Sequence, residues 1–200
     1  MKRDDSGQGD LRAIGKSAVR AEIAQRAVVL LDERGFDQTT VEEISAAVGI
    51  SPRSFFRYFA TKEDVAIGDL MPMVRLLEEA LLARPEDEEP WVALRASLAP
   101  LERIAEADTE NVRRATRVAL STAGLRAKTI ERHAAWAAVL APIIARRLKG
   151  SKNDAALASE AITQSALACL NVATAAWSRD DGARSYTSLI DEAFEAVSRA

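Results

Sequence analysis

Between residues 16 and 34 apolar side chains recur every three to four positions, at Val19, Ile23, Ala27, Leu30 and Leu31. That period lays them on one face of a helix. Gly35 follows, where a helix end favours a left-handed residue. The pattern breaks over Phe36-Asp37-Gln38-Thr39 and then resumes. Thr40 and Glu43 have the spacing of a capping box, so a second helix is predicted from Val41, with Val41, Ile44, Ala47 and Val48 facing inward. Gly49 ends it. Ser51 is a good N-cap and Pro52 suits a first helical position, which predicts a third helix running to Phe59. Thr61 and Asp64 repeat the capping pattern and predict a longer helix from Lys62 to about Ala83, bent near Pro72.

Further along, PEDEEP (85–90) reads as a solvated connector. Helical patterns follow over residues 91–107, 109–121, 125–149, 154–179 and 183–199, separated by Gly124, Gly150-Ser151 and Asp181-Gly182. The polar residues 1–15, with Gly7, Gly9 and Gly15, are expected to form a disordered arm. No stretch has the strand period. The expected fold is all-α, about nine helices in all. Residues 16–62 form a three-helix domain with a helix-turn-helix, and residues 63–200 form a helical body.

Composition supports an all-helical chain: alanine is abundant, while 200 residues contain only 9 glycines and 6 prolines. No apolar run approaches the ~20 residues of a membrane span, so no membrane partner is expected. The N-terminus carries Asp4, Asp5 and Asp10 and does not read as a signal peptide. A lone Cys169 rules out an internal disulfide and suits a reducing cytoplasm, the expected location. With a single histidine, His133, no multi-histidine metal site is expected, and no cofactor. No nucleophile elbow, phosphate-cradling glycine loop or His/Cys/Asp constellation points to an enzyme. The net charge of −3 does not by itself suggest nucleic acid. It hides an asymmetry: residues 1–62 hold 10 Lys and Arg against 9 Asp and Glu, and residues 63–200 hold 17 against 21.

The third predicted helix changes that picture. From Ser51 to Lys62 it carries Arg53, Arg57 and Lys62, no acid, and the aromatics Phe55, Phe56, Tyr58 and Phe59. A helix, a glycine turn and a basic aromatic helix make the pattern that places a second helix in the DNA major groove. Ser51, Pro52, Arg53 and Ser54 occupy its first turn, nearest the base edges. Arg53 suits a bidentate contact to guanine, Phe56 a thymine methyl, and Arg57 a base or phosphate. Phe55 and Phe59, four apart, are assigned to the core. Thr40 is a helix cap and a candidate phosphate contact, as are Lys16 and Arg20 at the front of the first helix, with Arg12 a candidate for the minor groove.

The stretch ERGFDQTTVEEISAAVGISPRSFFRYFATKEDV (33–65) resembles the signature of the TetR family of bacterial transcriptional regulators, and the likeness extends over roughly residues 16–65. The stretches PEDEEPWVALRASL and IERHAAWAAVLAPIIARRL are similar to the C-terminal part of mycofactocin-regulator-type members. The resemblance implies a homodimer, a repressor acting on a double-stranded DNA operator, palindromic in form, and release by a small-molecule effector. It also puts Tyr58 and Lys62 at the family's phosphate-contacting positions.

In the body, Trp91, Leu94 and Leu98 align on one helix, and His133, Trp136 and Leu140 on another. Leu167, Asn171 and Thr174 share a side of a third. Together they are candidates for a mostly apolar ligand pocket, against the alternative of plain bundle core. Ala161, Ser165, Ala168 and Val172 make a small-residue stripe, and Leu189, Ile190 and Phe194 follow at helical spacing. These are the candidates for a four-helix dimer interface, against intramolecular packing. The reading is a dimeric, non-enzymatic regulator released by a small hydrophobic ligand. Its alternatives are a ligand-independent or activating regulator, or a helical binding or catalytic protein with a vestigial helix-turn-helix.

Overall fold

The computed structural model describes the backbone at residues 6–68, 71–149, 151–180 and 183–199, with side chains from residue 15 onward except at 71 and 152. The expected breaks at Gly150 and at Asp181-Gly182, and the side chain of Arg12, lie outside the described residues. Those residues hold eleven α-helices and no strand. In chain order they are α1 (Ser6–Arg34), α2 (Val41–Val48), α3 (Pro52–Tyr58), α4 (Lys62–Ile67), α5 (Met71–Leu82) and α6 (Pro90–Ser97). Then come α7 (Ala99–Ala107), α8 (Thr109–Ser121), α9 (Ala123–Ala145), α10 (Lys152–Arg179) and α11 (Tyr186–Ser198). None is long and apolar enough, among the described residues, to cross a membrane.

The helix count exceeds the expected nine because two predicted helices are each broken. The stretch 62–83 divides at Gly68, which adopts φ 79° and ψ −175°, a backbone region suited to glycine. Pro72 therefore falls in the first turn of α5, where a missing N–H costs nothing, and causes no bend. The stretch 91–107 divides at Leu98, because Pro100 cannot donate to the preceding turn. At the other end of the chain, helix rather than disordered arm continues back to Ser6, through Leu11-Arg12-Ala13-Ile14, which are compatible with helix.

The chain divides into two compact units, residues 1–69 and 70–200, so α4 groups with the N-terminal helices. In the first unit α1 packs on α2 and α4, and α2 on α3. Its core is Ile23, Ala27, Val28, Leu31, Phe36, Ile44, Val48, Phe55, Phe59 and Val65. Val28 enters it, while Leu30 is only half-buried and Val19 is exposed. Val19 lies one turn before Ile23, the first residue of the covered stripe. On α2 the inward stripe is Ile44, Ser45 and Val48, and Ala47 is exposed. At 3.6 residues per turn, Ala47 points away from the face that Ile44 and Val48 share.

In the second unit α10 is central, packed against α8, α9 and α11, while α5 packs on α6, α7 and α9. One continuous core joins Val74, Leu77 and Leu81 of α5 to Leu94, Leu140, Ile144, Leu167, Leu170, Trp177 and Ile190. The acids of the 85–90 connector are not all solvated linker. Glu88 pairs with Arg84, and the Glu89 carboxylate caps α6 by accepting from the Val92 N–H at 3.0 Å. Arg147 of α9 donates to the carbonyls of Leu81 (3.0 Å) and Arg84 (3.2 Å), so the α5 end is satisfied from a distant helix.

Candidate nucleic-acid interface

The turn between α2 and α3 is built from backbone hydrogen bonds before any side chain is considered. Gly49 takes φ 76°; its N–H donates to Ala46 O at 3.2 Å, and the Ile50 N–H donates to Ser45 O at 2.9 Å. This pair of bonds is a Schellman closure, and it needs a residue tolerant of positive φ. Two residues later Ser51 Oγ accepts from the Ser54 N–H at 3.1 Å, with Pro52 in the first turn. Upstream, Thr40 Oγ1 accepts from the Glu43 N–H at 3.2 Å while Glu43 accepts from the Thr40 N–H at 2.8 Å. The Thr40 backbone N–H first, and then the Thr40 hydroxyl donating to the same carboxylate at 3.1 Å, hold the Glu43 carboxyl below its usual range. Thr61 and Asp64 repeat the reciprocal pair at the start of α4. All three predicted caps therefore exist as hydrogen bonds, and together they fix where α2, α3 and α4 start.

On α3 the two faces have separate tasks. Phe55 and Phe59 are fully buried, with ring centroids 5.4 Å apart, as the sequence implied. Ser51, Pro52, Arg53, Phe56 and Arg57 are exposed, and Ser54 and Tyr58 half-buried. Phe56 is 55% exposed, with its ring edge-on to Phe55 at 5.5 Å. Arg53 makes no hydrogen bond or ion pair among the described residues, and the Arg57 guanidinium lies 5.6 Å over the Tyr58 ring. The result is an outward cationic and aromatic face on a helix whose other face is anchored. Such a face can meet base edges and phosphates together. Thr40 is exposed at the start of α2.

Two cations make ties within the first unit that the sequence did not show. Lys62 Nζ donates to Phe36 O at 2.8 Å and to Thr39 O at 2.9 Å, and sits 4.1 Å over the Phe36 ring. It ties the start of α4 to the α1–α2 connection. Arg20 donates to Tyr58 O at 3.0 Å and lies 4.8 Å over Phe59, so it holds the C-terminal end of α3 against α1. A cation at a helix C-terminus is favourable to the helix dipole. Neither tie was legible in the sequence: the partners are 26 and 38 positions away. Lys16 is exposed.

In the second unit the sequence grouped nine residues as a pocket lining. Leu94, Leu98, Trp136, Leu140 and Leu167 share one buried cluster, and Trp91 packs against it. His133, Asn171 and Thr174 are half-buried. Burial, and then the neighbouring Arg132, lower the His133 pKa to about 4, so the ring is neutral at pH 7. Thr174 donates to Leu170 O at 2.7 Å, which leaves its oxygen to accept from the Tyr186 hydroxyl at 2.8 Å. Of the interface candidates, Ala161, Ala168 and Val172 are exposed on α10 and Ser165 is half-buried. Leu189, Ile190 and Phe194 are instead buried in the chain's own core. Their spacing is common to core and interface faces; the side of α11 that meets α10 takes them. Leu157 and Val197 are exposed, and the sequence reading had not placed Leu157.

Residues 23–67 match the family described as bacterial regulatory proteins, tetR family, and residues 88–200 match the MftR C-terminal domain. The chain is 31% identical over 185 residues to a protein of Mycobacterium tuberculosis (strain ATCC 25618 / H37Rv) described as mycofactocin biosynthesis transcriptional regulator MftR. That alignment covers 91% of this chain and 90% of the relative. It is 35% identical over 134 residues to the HTH-type transcriptional regulator TcmR of Streptomyces glaucescens, covering 64% of this chain and 59% of that one. Among solved structures, FadR of Bacillus subtilis in complex with stearoyl-CoA superposes with a TM-score of 0.63 at 20% identity, covering 88% of this chain and 96% of FadR. FadR of Bacillus halodurans superposes at 0.64 and 20% identity, covering 89% and 93%. These structural likenesses concern the fold; the family follows from the sequence matches. The chain belongs to the tetR family of bacterial regulatory proteins and is a transcriptional regulator with a helix-turn-helix.

Proposed function

We propose that the protein is a dimeric repressor that binds a palindromic DNA operator and leaves it when a small hydrophobic ligand enters the helical body. The observation that carries the DNA half is the outward face of α3. Arg53, Phe56 and Arg57 stand exposed on a helix that is capped at its start, buried along Phe55 and Phe59, and held at its end by Arg20. An exposed phenylalanine between two arginines costs solvation unless a partner covers it. Thr40, Ser51, Pro52, Ser54 and Tyr58 complete the contact surface. Lys62 has one N–H left for a phosphate after its two carbonyl bonds, so its main contribution is to position α4.

The ligand half rests on the apolar cluster of Leu94, Leu98, Trp136, Leu140 and Leu167, with Trp91, His133, Asn171 and Thr174 at its edge. FadR of Bacillus subtilis was solved with stearoyl-CoA and FadR of Thermus thermophilus with lauroyl-CoA, which supports an acyl-chain effector. The dimer half rests on the uncovered side of α10. A two-fold partner packing on Leu157, Ala161, Ser165, Ala168 and Val172 would pair two α3 helices, and a palindromic operator would mirror that symmetry.

The helix predicted from Lys62 to about Ala83 is two helices, α4 and α5, so it does not act as a single lever. Lys62, Val65 and Ala66 bind α4 into the first unit, and Gly68 precedes α5. Ligand binding would act on α5, and Gly68 would be the joint. The ligand must bind the two arrangements with different affinity for any release to follow.

A gel-shift titration against the DNA upstream of the protein's own coding region tests this reading. We expect a sequence-selective complex whose affinity falls steeply with salt. An Arg53→Ala variant should lose at least ~10-fold. Absence of a salt-sensitive, selective complex would sink the proposal.

A further inference from the structure

Helix α3 is seven residues long, too short to hold its own direction by internal hydrogen bonds. What fixes it lies at its two ends and along its inner side. Its start is set by the Gly49 turn and by Ser51 Oγ, which accepts from the Ser54 N–H at 3.1 Å. Its inner side is set by Phe55 and Phe59, both fully buried. Its end is met by Arg20 of α1. One guanidinium nitrogen donates to Tyr58 O, the last carbonyl of α3, at 3.0 Å, and the guanidinium carbon stands 4.8 Å over the Phe59 ring. The Phe59 N–H donates to Phe55 O at 3.0 Å, so the ring under the cation belongs to the residue that closes the helix.

Helix α3 packs on α2, whereas α1 packs on α2 and α4. Arg20 thereby ties the end of α3 to a helix whose place is fixed by other contacts. A helix of seven residues spans roughly 10 Å, so a tilt of about 10° about its start moves its end by about 2 Å. Hydrogen bonds to base edges tolerate a few tenths of an ångström and a limited range of angle. Phosphate contacts are made by long side chains and by net charge, and they survive such a tilt. Arg53 stands near the fixed start of α3, and Arg57 near the end that Arg20 holds. A cation at that end also suits the helix dipole. The side chain that in sequence was a candidate phosphate contact is turned inward, with one face on an aromatic ring.

We propose that Arg20 is a positioning residue for sequence reading: by holding Tyr58 O and the Phe59 ring it sets the inclination of α3, and it does so without touching DNA. This rests on the reading of α3 as the helix that meets base edges, and it assigns selectivity to a side chain on α1. A phosphate contact and a positioning contact leave different marks. Removing a phosphate contact weakens all duplexes alike and makes the salt slope shallower by about 0.9 per contact. Losing the position of α3 weakens the selected sequence and spares the rest, with the salt slope kept. A purely structural fault lowers the fraction of active protein and so also weakens all duplexes alike.

The test uses the full chain and two duplexes of equal length and composition: one enriched by the wild-type protein from a random-sequence library, and a scrambled version of it. Affinity for both is measured over a series of sodium chloride concentrations, and a urea melt records folding. We expect Arg20→Met to weaken binding of the enriched duplex about 10-fold or more, the scale of one base contact, and that of the scrambled duplex by less than about twofold. The salt slope on the scrambled duplex should stay within about 0.3 of the wild-type value. Arg20→Lys keeps a charged donor and should lie between wild type and Arg20→Met in selectivity. Should Arg20→Met fail to fold, Arg20→Lys carries the test, with an expected selective loss of about threefold or more. Equal weakening of both duplexes, a slope shallower by about 1, or unchanged selectivity overturns the proposal. A wild-type protein that enriches no sequence removes the reading of α3 itself, and the proposal with it. A wild-type protein that enriches one, while the folded Arg20 variants keep its selectivity, removes this proposal alone.

Discussion

Lys62 and Arg53 are both cations of the first unit, and the structure gives them opposite energetic roles. Lys62 makes two charge-assisted bonds to the carbonyls of Phe36 and Thr39 across the face of a ring. Lys62→Met should therefore cost about 2 kcal/mol of stability in a urea melt. Arg53→Ala should change stability by less than about 0.5 kcal/mol, since an exposed side chain without partners is removed, yet should weaken DNA binding at least ~10-fold. A Lys62→Met protein as stable as wild type would show that the two carbonyl bonds are not populated. His133 gives a pH prediction. Its pKa is lowered from 6.5 to about 4 by burial first and by Arg132 second. Between those two values the unfolded chain binds the proton and the folded chain does not, so stability falls as pH drops from 6.5 toward 4. His133→Gln should flatten that part of the stability profile, by an amount on the order of 2–3 kcal/mol at the acid end. NMR titration of the imidazole would show directly whether it stays neutral at pH 5.

At the scale of elements, the same substitution should have opposite signs at two glycines. Gly68 has φ 79° and ψ −175°, and a Cβ built there meets nothing within 4 Å. Gly68→Ala would therefore cost backbone strain alone, about 1–3 kcal/mol, at the joint between α4 and α5. Gly124 lies in the first turn of α9, also with nothing within 4 Å, and Gly124→Ala should stabilise by up to about 1 kcal/mol. Paired thermal melts decide this: two substitutions of the same sign would contradict the backbone argument. The three caps at Thr40, Ser51 and Thr61 belong to this scale too. They fix the starts of α2, α3 and α4 locally, which is why these boundaries could be read in advance. The breaks at Gly68 and Pro100 could have been read by the same rules, but each sits inside a long apolar pattern that conceals it. Periodicity reports which face is buried, and it continues in phase across a short interruption.

For the whole molecule, the proposed dimer follows from what one chain leaves uncovered. The outer side of α10 exposes Leu157 and Val172, at 75% and 62%, with Ala161 and Ala168 on the same face. Apolar side chains aligned there gain free energy only when another surface covers them, at roughly 25 cal/mol per Å². Small residues between them let a second helix approach closely. Ala168→Glu should give a folded monomer by light scattering, with far-UV circular dichroism unchanged, and should weaken operator binding more than any single phosphate contact does. A variant that remains dimeric would place the interface elsewhere.

Residues 40–62 carried in sequence nearly everything that defines the DNA-reading element. Caps, the glycine turn and the division of α3 into an inner Phe55–Phe59 side and an outer Arg53–Phe56–Arg57 side all depend on neighbours within four residues. Local hydrogen bonds and helical period are properties of sequence, so the tertiary structure had little left to choose there. Tertiary structure decided the rest. It sent Leu189, Ile190 and Phe194 inward to the core and left Leu157 outside, because an apolar stripe does not specify which helix will cover it. It gave Lys62 and Arg20 partners in distant backbone, and brought Arg113, Arg132, Trp177 and Tyr186 of four helices to one place. A charge on a helix has no predictable partner until the chain closes on itself. Charge-charge and cation-ring contacts form between elements, and their pairing is set by packing rather than by spacing along the chain.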